Sequence, residues 1–87
     1  MKIKEGFILR KISDTYVVVA VGEAAKDFKG MVTLNETGGF LWEKLAEGND
    51  ADGLEKALLA EYDVDEATAK ADVAKFLENV TNAGFVE

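Results

Sequence analysis

Gly30-Met31-Val32-Thr33-Leu34-Asn35-Glu36-Thr37-Gly38-Gly39-Phe40-Leu41-Trp42-Glu43-Lys44-Leu45 reads as a short strand running straight into a helix. Met31 to Leu34 is uncharged and rich in strand formers. Asn35 can offer its side-chain oxygen to the free N–H groups of a first helical turn. Glu36 puts negative charge beside the positive end of that helix. Gly38 and Gly39 follow inside the first turns, where each costs about 1 kcal/mol relative to Ala. Two such costs imply a close approach to the backbone, where the helix packs on a sheet. Phe40, Leu41, Trp42 and Leu45 form the apolar face, with Trp42 as a core anchor. The junction fixes a strand end and a helix start at one spot and leaves the outer strand edge to be used or protected.

Toward the N-terminus, Phe7 to Ile12 reads as a strand, Ser13-Asp14-Thr15 as a turn, and Tyr16 to Val21 as a second strand. YVVVAV is too apolar for a strand with one wet face, so it is expected to be buried on much of both. Gly22 to Gly30 is charged and reads as a looser connection from which Phe28 tucks back onto the core. Three helices follow. Glu36 to Glu47 is stopped by Gly48. Ala51 to Tyr62, capped by Asp50, carries Leu54, Leu58 and Tyr62 on one face, with Ala57 beside them. Glu66 to Ala83, capped by Asp65, carries the stripe Ala69, Val73, Phe76, Leu77 and Val80; Gly84 ends it, and Phe85-Val86 can fold back. The order is β-β-β-α-α-α. This is an α+β fold, three N-terminal antiparallel strands and a three-helix bundle, winged helix-turn-helix-like, as one domain over residues 1–87.

What the chain lacks narrows its chemistry. Among 87 residues there is no His and no Cys, one Ser (Ser13) and one Arg (Arg10). A serine triad has no base, a cysteine nucleophile no sulfur, and the usual zinc and iron–sulfur sites no ligands. Asp63-x-Asp65 begins like a calcium loop, but Ala67 and Thr68 stand where a ligand and a glycine are needed. No catalytic residue, metal ligand or cofactor is expected. No apolar run approaches the ~20 residues that span a bilayer, and the N-terminus has no signal-like apolar stretch, so the reading is a cytoplasmic protein without a membrane partner. Residues 1–30 hold six basic and four acidic groups, net +2; residues 31–87 hold four and thirteen, net −9. The last helix sets Asp65, Glu66, Asp72 and Glu78 against Lys70 and Lys75, the wrong balance for reading a duplex, so a DNA-binding winged helix is the weaker reading and no nucleic acid partner is expected. The third strand has Lys29 at its start and nothing protective after it, so its edge looks meant for occupation.

Leu34-Asn35-Glu36-Thr37-Gly38 followed by Leu41-Trp42, then Tyr62-Asp63-Val64-Asp65, then Asp72-Val73 through Phe76-Leu77, resembles the PqqD family, named for pyrroloquinoline-quinone biosynthesis. The resemblance runs from Phe7 to Glu87. It implies a recognition element, a peptide chaperone that binds the leader of a ribosomally made precursor peptide and presents it to a modifying enzyme, often a radical S-adenosylmethionine enzyme. It implies that the leader adds as a strand to Met31, Val32, Thr33 and Leu34 and lies against the last helix between Lys70 and Thr81. One flank of that helix carries Lys70, Ala74, Leu77 and Thr81; the other carries Asp72, Lys75 and Asn79. The small Ala and the rim of Leu77 favour the first flank. A protein–protein adaptor that touches no peptide is the alternative.

Overall fold

The computed structural model describes residues 2–27 and 31–86. Phe28, expected on the core, and Lys29 and Gly30, at the entrance to the third strand, lie outside the described residues, as does the side chain of Met31.

β1 (Phe7–Ile12) and β2 (Thr15–Ala20) form an antiparallel hairpin closed by Ser13 and Asp14 alone. The turn is one residue tighter than expected, so Thr15 joins the strand and Val21 falls beyond its end. Ser13 takes a left-handed conformation, φ 60°, as two-residue loops require when they follow the twist of their strands. The connection after β2 is not irregular throughout: Ala24–Asp27 form a single helical turn, α1. β3 (Met31–Leu34) then pairs antiparallel with β2, giving the sheet order β1-β2-β3.

Alternation assigns the two faces of the sheet. Tyr16 and Val18 share one face with Phe7, Leu9, Val32 and Leu34, and all but Tyr16 belong to or border the core. Ile8, Arg10, Ile12, Thr15, Val17, Val19 and Thr33 take the other. β2 therefore carries valines on both faces, and Val17 and Val18 are both buried.

Three long helices, α2 (Glu36–Ala46), α3 (Ala51–Glu61) and α4 (Glu66–Asn82), follow β3. Each starts at the cap read from the sequence. The Asn35, Asp50 and Asp65 side chains accept from the N–H groups of Gly38, Gly53 and Thr68 at 2.7, 2.9 and 2.7 Å. Such caps each contribute about 1 kcal/mol. α2 packs across all three strands and against α3 and α4. The core joins Val18 to Leu41, Trp42, Leu45, Leu54, Leu58, Ala69, Val73, Phe76, Val80 and Phe85. Burying each of the larger aliphatic side chains contributes about 1.5–3 kcal/mol. Leu77, placed on the stripe by its spacing, is only half-buried at the edge of this core.

The C-terminus returns as expected. Gly84, at φ 81°, reverses the chain after α4. Its N–H donates to Thr81 C=O and that of Phe85 to Val80 C=O, 3.1 and 3.0 Å, which supplies partners to two helix-end carbonyls. Phe85 then lies edge-on to Trp42, with centroids 5.5 Å apart, and the Lys4 N–H donates to its C=O at 2.8 Å. Among the described residues no helix is long and apolar enough to cross a membrane.

Candidate functional site

Among the described residues β2 is the single neighbour of β3 in the sheet, which leaves the outer side of β3 an open edge. Which backbone groups face outward follows from the hydrogen-bond rhythm. In an antiparallel ladder, paired residues alternately exchange both their hydrogen bonds or turn both groups away. Val21 N–H donates to Gly6 C=O at 2.7 Å, so that pair is of the bonded kind. Every second pair along the β1–β2 register is bonded too: Ile8–Val19, Arg10–Val17 and Ile12–Thr15. Tyr16 and Val18 consequently turn their backbone groups toward β3, opposite Leu34 and Val32. Met31 and Thr33 turn theirs away from the sheet. The free edge thus offers two N–H donors and two C=O acceptors, spaced two residues apart. The other outer strand, β1, is blunted by the exposed charges of Arg10 and Lys11.

Beside this edge runs a groove of about 310 Å³ between β3, the start of α2 and the middle of α4. Leu34, Leu41 and Phe76 give it an apolar floor, and Thr33, Asn35, Thr37, Asp72, Lys75 and Asn79 a polar rim. Gly38 lines it as well, and its N–H is held by the Asn35 cap. Leu41 and Phe76 are core residues, so the floor is rigid. Asp72, Lys75, Phe76 and Asn79 fall at i, i+3, i+4 and i+7, one continuous helix face.

The sequence-derived residues divide. Thr33 and Leu34 line the groove, Val32 places its side chain on the core side of the sheet, and Met31 contributes outward backbone groups. Lys70, Ala74, Leu77 and Thr81 do not line it. The flank favoured from the sequence faces away from β3, and the groove wall is the Asp72–Lys75–Asn79 flank. The reason is rotational: Ala69, Val73, Phe76 and Val80 point α4 into the core, and β3 lies to the side of that stripe on which Asp72 stands. Asn35, Thr37, Gly38 and Leu41 join the lining without having been assigned to a site. Their proximity to the edge strand was legible, since they directly follow it. Among the described residues no cluster of three Asp, Glu, His or Cys side chains could hold a metal ion.

Comparison with known proteins agrees with this architecture. The family model for coenzyme PQQ synthesis protein D matches residues 15–86. The solved structure described as TbiB1 in complex with the TbiA(beta) leader peptide superposes with a TM-score of 0.80 at 28% identity, covering 100% of this chain and 95% of that one. Lasso peptide synthetase B1 complexed with the leader peptide superposes with a TM-score of 0.74 at 18% identity, covering 99% and 95%, a likeness of fold. No curated protein sequence matches significantly. With the family model spanning most of its length, from the start of β2 to Val86, this chain belongs to the PqqD family.

Proposed function

We propose that this protein binds the leader segment of a ribosomally made precursor peptide as a fourth strand on β3 and presents it to a peptide-modifying enzyme, a radical S-adenosylmethionine maturase in the form the family resemblance implies. Its part is binding rather than catalysis. The observation that carries this reading is the coincidence of an open edge, with Met31 and Thr33 turned outward, and an apolar-floored groove alongside it. The two related structures, each described as a complex with a leader peptide, support it.

Strand addition couples main-chain pairing to side-chain selection. A guest residue opposite Thr33 would exchange hydrogen bonds with it and project its side chain away from the helices. The guest residues on either side, opposite Val32 and Leu34, would project toward α4 and the groove. Leu34, Leu41 and Phe76 suit an apolar guest side chain, and Asp72, Lys75 and Asn79 would orient polar atoms at the rim. Four pairing groups and one pocket correspond to a Kd on the order of 0.1–10 μM.

The test is titration of a fluorescent leader segment, taken from a precursor gene identified next to the gene for this chain, into two variants. Asn79→Trp fills the groove from an exposed position, and Ala74→Trp places the same bulk on the opposite flank. Asn79→Trp is expected to weaken binding about tenfold or more, and Ala74→Trp to leave it within about twofold. The reverse result would move the guest to the Lys70–Thr81 flank. Loss in neither variant would contradict groove binding.

A further inference from the structure

The face of the sheet turned away from the helices is unusual for an antiparallel sheet. A wet face normally alternates to polar side chains. Here it presents Ile8 and Ile12, exposed to 37 and 57%, and Val21 just past the end of β2, exposed to 42%, beside half-buried Val19 and buried Val17, with Arg10 as the single charge of its described strand residues. All the long helices pack on the other side.

We propose that this face is the docking surface for the enzyme that receives the bound peptide, an enzyme presenting an apolar patch with a carboxylate opposite Arg10. The inference rests on the strand-addition reading above. A guest strand on β3 would extend this same sheet, and its residue opposite Thr33 would stand on this same face. Strands are spaced about 4.8 Å apart, which puts β1 about 14 Å from the guest strand. An ordinary interface of about 800 Å² per partner is roughly 30 Å across and covers both. An enzyme seated here would touch the patch on β1 and the outward side chains of the guest together, and so would favour the loaded protein over the empty one. Charge disfavours two other occupants. A second copy stacked face to face would offer Arg10 no carboxylate from the described strand residues of the same face and would join two chains of net charge −7. An anionic membrane would find one positive side chain, Arg10, among the described strand residues of this face, and would be repelled by the net −9 of residues 31–87.

The experiment uses Ile8→Ser with Ile12→Ser, and separately Arg10→Glu, all at exposed positions, with circular dichroism as the folding check. The probe is a peptide-modifying enzyme identified from a gene next to that of this chain, its affinity measured with and without saturating leader. Both variants should keep leader affinity within about twofold, since the sites are separate. Both should lose enzyme affinity about tenfold or more. In the wild type, the leader should tighten enzyme binding. Unchanged enzyme affinity in folded, leader-binding variants would overturn the docking surface and leave leader binding standing. Wild-type protein that binds no leader would overturn the strand reading itself, and the composite surface with it. Sedimentation showing a wild-type dimer that the serine variant dissociates would assign the face to a second copy. Pelleting with phosphatidylglycerol vesicles that the serine variant abolishes would assign it to a membrane. Either would overturn the proposal.

Discussion

Gly39 shows how a single missing side chain sets the helix–sheet distance. A Cβ built there would stand 2.5 Å from the Cγ and Cδ2 atoms of Tyr16, at the base of a ring whose position the β2 backbone fixes. Gly39→Ala gains about 1 kcal/mol of helix propensity but must push sheet and helix apart, at about 1–3 kcal/mol. A net loss of about 1 kcal/mol is expected by urea unfolding, and most of it should vanish when Tyr16→Val is added, a coupling that a double-mutant cycle measures. The two adjacent glycines announced a close approach in the sequence. Their different roles did not show, because Tyr16 lies in a distant stretch of chain while the atoms that crowd Gly38 belong to Leu34 and Asn35. Val32 and Thr33 present a similar case. As letters they are neighbours in one apolar strand; hydrogen-bond parity turns the backbone of one into the sheet and that of the other out to the edge.

At the scale of elements, starts and stops were largely legible, because they are decided by local chemistry. Asn35, Asp50 and Asp65 cap the three long helices, and Gly48 and Gly84 end two of them. The single turn α1 was not legible, since four residues carry no periodicity. Nor was the flank of α4 that lines the groove. Two mixed flanks border one apolar stripe, and the choice between them depends on where β3 lies across the core. The Asp65 cap carries a pH signature. Hydrogen bonds from Thr68, first from its backbone N–H and then from its side chain, hold the carboxyl below its ordinary range. A carboxylate favoured in the folded state stabilises fully above its unfolded value, and that contribution is lost as pH falls through the lower folded value. Asp65→Asn caps without titrating. Its melting temperature should therefore fall less than that of the wild type between about pH 5 and pH 2, as thermal scans would record. Equal falls would mean the cap is not titrating.

For the whole molecule, the division of labour is between a sheet that exposes an edge and helices that wall it. The fold class could be read from the order of strand and helix signals. The edge position of β3 could be read, because an uncharged strand ending at a helix cap is a local pattern. The groove could not, because it exists only where β3, α2 and α4 meet. Charge follows the same division, with +2 in residues 1–30 and −9 in residues 31–87. A basic guest would be steered toward the helical side, with an effect on association rate that salt removes. Strand addition itself is tested most directly by amide hydrogen exchange at two adjacent residues, with and without saturating leader. Thr33 N–H, turned outward, should exchange freely in the empty protein and become strongly protected on binding, while Val32 N–H, already paired with β2, should change far less. Equal responses at both positions, or a Thr33 amide unaltered under saturating leader, would contradict pairing at this edge.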